Sequence, residues 1–131
     1  MKHQDRLLAI PLFSKFNKHE LGHVHGISTE LTVKAGQVLM TEGNVGHEMV
    51  VVLEGELEVL RGGEHVADIG PGGFAGEMAL LAHRPRNSSV VAKTDGVILH
   101  IDGRGFAALL EDVPQLAVRM LPIVAGRATD D

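Results

Sequence analysis

One stretch of the chain gathers the groups that could do chemistry: Gly70-Pro71-Gly72-Gly73-Phe74-Ala75-Gly76-Glu77-Met78-Ala79-Leu80-Leu81-Ala82-His83-Arg84-Pro85-Arg86-Asn87-Ser88-Ser89-Val90. A glycine-rich turn runs into a short helix-forming segment, Glu77 to Ala82. The first amides of such a segment lack an intrahelical partner and carry partial positive charge. Glycines ahead of it let an anion approach those amides closely. Arg86, just beyond, supplies a forked guanidinium suited to a phosphate. Glu77 supplies a carboxylate acceptor suited to a sugar hydroxyl, and Asn87, Ser88 and Ser89 add hydrogen-bonding groups beside the arginine. The chemistry expected is joint recognition of an anion and a hydroxyl, as a nucleotide's phosphate and ribose present them. The competing reading is a capped surface helix with a Glu77–Arg86 ion pair, which would be worth little.

Other chemistries find less support. Cysteine is absent, which removes thiol nucleophiles and Cys-zinc sites and fits a reducing, cytoplasmic setting. Ser14, Ser28, Ser88 and Ser89 stand in no nucleophile-elbow context, and no Gly-x-Ser-x-Gly occurs. Of eight histidines only His23 and His25 are close together, at the edge of a predicted helix and with no third ligand nearby. They read as solvent-exposed side chains, and no metal site is expected.

The elements that must position this stretch follow from the pattern around it. The first 27 residues read as helical, with apolar Leu7, Leu8, Ile10, Leu12, Phe13 and Phe16. Pro11 marks off the start, and Asn17-Lys18-His19-Glu20 has the form of a capping box. After Ile27 the period becomes two, with Glu30–Lys34 alternating and Val38–Thr41 forming a second short strand. Glu48 to Leu53 is a nearly unbroken apolar run, as in a strand buried on both faces. Gly62-Gly63 then joins Glu56–Val59 to His65–Ile69 as a hairpin. Ser89–Lys93 and Val97–Ile101 are expected to pair around Asp95-Gly96, and a short strand lies near Phe74. About eight closely spaced strands predict a sandwich or jelly roll, mainly β with flanking helices. Asp102 is a plausible N-cap for a helix bearing Phe106, Leu109 and Leu110. Pro114 opens a last helix, which Pro122 and Gly126 are expected to kink or shorten. Its apolar face reads as core or pocket lid, with a homodimer contact as the second reading, and Asp130-Asp131 as a solvated tail.

A chain of 131 residues with 44% hydrophobic content fits one domain, 1–131, with helices over 1–27, a β-roll over 28–102 and helices over 103–131. Twelve basic against seventeen acidic residues leave a formal charge of −5, which argues against DNA binding. The apolar residues after Arg6 are too few for a signal peptide or membrane span.

The ordered pattern Gly-Pro-Gly-x-x-x-Gly-Glu-x-Ala-Leu-Leu-x-x-x-Pro-Arg-x-x-Ser-Val resembles the phosphate-binding cassette of cyclic-nucleotide-binding domains, as found in catabolite-activator-type regulators, kinase regulatory subunits and gated channels. Pro11-Leu12-Phe13, Val38–Gly43, Val52-Leu53-Glu54-Gly55-Glu56-Leu57 and the Pro114 helix also fall where that family has them. The resemblance implies an eight-stranded antiparallel jelly roll and a cAMP or cGMP ligand, with cAMP favoured. It implies that Glu77 accepts the ribose 2′-hydroxyl and Arg86 pairs with the phosphate, which Gly76, Ala79 and Asn87 help to cradle. Leu80 would pack beneath the pocket, and Val50 or Val90 would face the purine. The implied ligand-binding set is Gly76, Glu77, Met78, Ala79, Arg86, Asn87, Ser88, Val90 and Arg127, the last near where some members carry a purine-contacting arginine. Asn87 stands where the family often has Ala, Ser or Thr, and Ala75 where a larger apolar residue is common. With no helix-turn-helix, kinase or channel segment after it, the expected molecule is a non-enzymatic, stand-alone sensor that signals through its last helix to a protein partner. Two alternatives are a ligand-free interaction module on the same fold and a metal-binding cupin. The cupin reading lacks its ligands, because Glu42, Gly43, Asn44 and Val45 stand where histidines are needed.

Overall fold

A computed structural model describes residues 6–129; residues 1–5 of the expected N-terminal helical segment and the Asp130-Asp131 tail lie outside the described residues. The described residues form eight strands: β1 (Ser28–Val33), β2 (Val38–Met40), β3 (Glu48–Glu54), β4 (Leu57–Arg61), β5 (Glu64–Ile69), β6 (Phe74–Ala75), β7 (Ser89–Ala92) and β8 (Gly96–Asp102). Around them run helices α1 (Lys18–Ile27), α2 (Glu77–Ala82), α3 (Gly103–Asp112) and α4 (Pro114–Thr129). The strands make two antiparallel four-stranded sheets, in the orders β1-β8-β3-β6 and β2-β7-β4-β5. The expected eight-stranded roll with flanking helices is what forms.

β3 explains how two cores share one sheet. Side chains alternate across a strand, and here both faces are covered. Met49 and Val51 join Phe13, Val24, Phe74, Leu99, Phe106, Leu109, Leu116 and Met120 in a core between sheet and helices. Val50 and Val52 join Met40, Leu57, Ile69, Ala75, Val90 and Ile98 in a second core between the sheets. The unbroken apolar run at Met49–Leu53 is therefore the sequence trace of a strand with no wet face.

Local signals act where they were expected. Asn17 Oδ1 accepts from the Glu20 amide and Glu20 Oε1 from the Asn17 amide, both at 2.9 Å, so the capping box closes and starts α1. Gly62 and Gly63 have φ of 61° and 80°, as the hairpin between β4 and β5 requires of both central residues. Asp102 Oδ1 accepts from the Gly105 amide at 2.7 Å and caps α3.

Several expectations are revised by the structure. β7 and β8 do not pair: β7 lies between β2 and β4, and β8 between β1 and β3, so Asp95-Gly96 crosses between sheets. β1 does not bury alternate residues; as an edge strand it buries Val33 and leaves Leu31 exposed. Before α1 the described segment contains only a 3-10 turn at Pro11–Phe13 and a short turn of helix around Leu7. Pro122 does not shorten α4, which runs through it to Thr129. Pro122 and Val118, whose carbonyl loses its helical donor, are both exposed, so water can take that carbonyl. His23 is not simply a solvent-exposed side chain either: its Nδ1 lies 2.8 Å from Asp112 Oδ2, joining α1 to the end of α3. That bond, with His19 on the same carboxylate, holds the Asp112 carboxyl below its usual range.

Leu99 is fully buried in the helix-side core. Leu99→Ala should cost about 3 kcal/mol, the usual range for a leucine cavity. The loss is read as a lowered urea midpoint by circular dichroism, since the chain lacks Trp and Tyr.

Candidate functional site

α2 begins at Gly76, whose φ of 93° lies in the left-handed region. A side chain there would be strained, and a Cβ would sit 2.7 Å from Arg86 Nη1 and 2.9 Å from the Glu48 carbonyl. Gly46 is needed for the same guanidinium, because a Cβ would fall 2.5 Å from Arg86 Cζ. Between these glycines Arg86 is buried. Its Nη1 donates to the Gly76 carbonyl at 3.0 Å, and its Nη2 to the Glu48 carbonyl at 2.8 Å and Glu48 Oε1 at 3.2 Å. The Arg86 backbone is fixed too, donating to the Asn44 carbonyl at 2.9 Å and accepting from the Gly43 amide at 2.8 Å.

Glu77 opens α2 and is 1% exposed. It does not pair with Arg86. Its Oε1 accepts a short hydrogen bond from Arg127 Nη1, and its Oε2 is buried with no hydrogen-bond partner among the described residues. Arg127 reaches the carboxylate from α4, fifty residues along the chain. Its Nη2 donates to the Phe74 carbonyl at 2.7 Å, and its guanidinium carbon stands 4.8 Å from the centre of the Phe74 ring. Burial pushes the Glu77 carboxyl above its ordinary value; Arg127, the Glu77 backbone amide and Arg86 pull it back in part.

All nine expected site residues, Gly76, Glu77, Met78, Ala79, Arg86, Asn87, Ser88, Val90 and Arg127, line one cavity of about 190 Å³. The reading as a capped surface helix fails, since Glu77 and Arg86 are buried and paired elsewhere. Ser89 leaves the cluster; its Oγ accepts from the Glu42 amide at 2.9 Å. Val50 packs between the sheets, and Leu80 turns away toward the helix-side core. Sequence reasoning missed Gly46 and Glu48, which seat Arg86. It also missed Arg61, whose Nε donates to the Asn87 carbonyl at 3.2 Å and to Ser88 Oγ at 3.3 Å.

A carboxylate at a helix start thus lies in one cavity with a buried arginine of the same cassette and a second arginine from α4. The family model for the cyclic nucleotide-binding domain matches residues 30–113. The chain belongs to the cyclic nucleotide-binding domain family. It is 33% identical over 109 residues to a cyclic nucleotide-gated potassium channel of Rhizobium etli, covering 83% of this chain and 30% of that protein. It is 34% identical over 109 residues to a cAMP-dependent protein kinase regulatory subunit of Yarrowia lipolytica, covering 82% of this chain and 29% of that one. The crystal structure of Thermus thermophilus catabolite activator protein superposes with a TM-score of 0.80 at 26% identity, covering 92% of this chain and 59% of that one. The chain thus spans about three-tenths of the curated relatives it matches. Among the described residues no helix is long and apolar enough to cross a membrane, and no group of three side chains is set to hold a metal.

Within this cyclic nucleotide-binding domain, Arg127 stabilises a buried charge. Arg127→Ala should cost about 1–3 kcal/mol at neutral pH, because it leaves the Glu77 carboxylate without its partner. A raised carboxyl pKa means the folded chain holds that proton more tightly than the unfolded chain. Stability lost to the buried charge therefore returns as pH falls through the raised value toward the ordinary carboxylate range. Urea titrations should show the deficit of the variant shrinking over that descent; a deficit independent of pH would assign the loss to packing alone.

Proposed function

We propose that this chain binds a cyclic nucleotide, cAMP in preference to cGMP, in the cavity between α2 and α4, and acts as a sensor without catalysing a reaction. One observation carries the reading: Glu77 Oε2 is a buried carboxyl oxygen with no hydrogen-bond partner among the described residues. Such a group is costly to leave unpaired and rare in native structures. A ribose 2′-hydroxyl supplies the missing donor. The ligand's exocyclic phosphate oxygens then meet Arg86, whose present carboxylate partner, Glu48, is a half-buried group that a phosphate can replace. Gly76 and Ala79 offer the amides at the start of α2, and Asn87 and Ser88 line the cavity beside them. Val90 and Arg127 would border the base. The preference for cAMP is supported by the likeness to a cAMP-dependent kinase regulatory subunit.

The readout follows from Arg127. The ligand's hydroxyl and the last helix meet on one carboxylate, so occupancy changes how firmly α4 is held. A separate protein, or a second copy of the chain, would read the position of α4. Localisation in the cytoplasm accords with the cysteine-free composition. The rival reading, an interaction module without ligand, leaves the orphaned oxygen unexplained.

Calorimetric titration with cAMP and then cGMP tests the proposal. At a ligand concentration about 100-fold above Kd, linkage adds about 2.7 kcal/mol to stability and raises the melting temperature by several degrees. Arg86→Lys, which keeps the charge but loses the fork, should bind at least tenfold more weakly. Glu77→Gln should narrow the discrimination against a 2′-deoxy analogue. No thermal shift with either nucleotide at millimolar concentration would overturn the reading.

A further inference from the structure

β4 ends in a residue unlike those before it. Side chains alternate across a strand, and Leu57 and Val59 turn inward to the core between the sheets. Arg61, two residues on, takes the same inward side and lines the cavity beside Val59. On the neighbouring strand β7, Val90 and Ala92 face inward, and Ser88 precedes them on that face. The two strands pair with Leu60 opposite Ser89, which sets Arg61 beside Ser88. Arg61 Nε donates to the Asn87 carbonyl at 3.2 Å and to Ser88 Oγ at 3.3 Å, and Nη2 donates to the same hydroxyl at 3.2 Å.

A serine hydroxyl has one hydrogen to donate and two lone pairs that accept, whereas a guanidinium only donates. Both contacts from Arg61 therefore fall on the accepting side of Ser88 Oγ, and the hydroxyl hydrogen points elsewhere. Ser88 is 7% exposed, and among the described residues no acceptor meets that hydrogen. The open side of Ser88 is the cavity, which it lines. The cavity thus presents a buried donor at Ser88 as well as the buried acceptor at Glu77 Oε2.

Given the cyclic-nucleotide reading, on which this depends, we propose that Arg61 is a positioning residue of the site and holds the Ser88 hydroxyl as a donor to an exocyclic phosphate oxygen of the ligand. Linked hydrogen bonds polarise one another, so a hydroxyl that accepts from a guanidinium becomes a stronger donor. Such a donor gains most against a charged acceptor. The phosphate carries the only charge of a cyclic nucleotide, and Ser88 stands two residues beyond Arg86, the group that meets the same phosphate in that reading.

Calorimetric titration of the whole chain with cAMP and its two phosphorothioate diastereomers tests the assignment. In each diastereomer a different exocyclic oxygen is replaced by sulfur, a weak acceptor. Ser88→Ala should weaken cAMP about tenfold, the loss of one hydrogen bond to a charged group. It should weaken one diastereomer as much, and the other, whose sulfur faces Ser88, less than about twofold. Arg61→Ala should reproduce this pattern, as should Arg61→Met, which keeps the length of the side chain without its donors. Combining Arg61→Met with Ser88→Ala should cost no more than the larger single loss, since the two act through one contact. Equal losses for all three ligands would assign both residues to structure alone and overturn the proposal. A loss that persists with both diastereomers but vanishes with 7-deaza-cAMP would place the hydroxyl on the purine and also overturn it. Unchanged affinity in Ser88→Ala overturns this proposal alone, whereas a parent chain that binds none of the ligands overturns the cyclic-nucleotide reading with it.

Discussion

A buried guanidinium organises this domain. Arg86 is 7% exposed, and a charge so placed must be met by acceptors or the structure opens to water. Its acceptors come from two neighbouring strands of one sheet: the carbonyl of Gly76, which follows β6 and precedes α2, and the carbonyl and carboxylate of Glu48 at the start of β3. Seating the group costs side chains at two places, since Gly46 and Gly76 leave no room for a Cβ. The loop before β3, the turn before α2 and the strand that follows Arg86 are thereby fixed to one another. That fixation is what turns a short, six-residue helix into a stable wall of the cavity. A helix of that length has too few internal hydrogen bonds to persist alone.

Glu77 stands one residue from this anchor and makes the opposite kind of contact. Arg86 is held by the roll; Glu77 is held by Arg127 of α4, which also donates to the Phe74 carbonyl. The two charges of the cassette therefore divide the work. One keeps the cassette's shape, and the other ties it to α4. Their separate partners explain why an ion pair between them, the simplest reading of their spacing, does not form.

Much of the fold was legible because its signals are local. The capping box at Asn17 and Glu20, the Gly62-Gly63 hairpin, the Asp102 cap and the limits of α2 all depend on residues within a few positions of each other. The two-sided burial of β3 was legible for a related reason, since a strand with no wet face leaves an unbroken apolar run. What the sequence hid is long-range. Asp95-Gly96 has the composition of a hairpin turn, yet sheet membership is settled by β1 and β3, which pack on β8 from far along the chain. The partners of the site arginines are 38 and 50 residues away, distances at which spacing carries no information. The need for glycine at position 46 exists only once Arg86 is in place, so no pattern around Gly46 could disclose it.

α2 is the point where these constraints meet. On one flank it presents Glu77 to a cavity; on the other it presents Leu80 to a groove shared with α3, and Ala79 borders both. Its two ends are held differently. The start is fixed by the Gly76 carbonyl on Arg86, while the end stops at His83 in the left-handed region, a conformation uncommon for a residue with a side chain. A segment fixed firmly at one end and bordered by open space on both flanks responds to either flank being filled. Packed interiors do not deform smoothly, so a shift of α2 must be taken up at its contacts with α3 and α4. Those helices rest on the roll through apolar side chains such as Leu109, Leu116 and Met120, and Arg127 adds a polar tie from α4 to the Glu77 carboxylate and the Phe74 carbonyl.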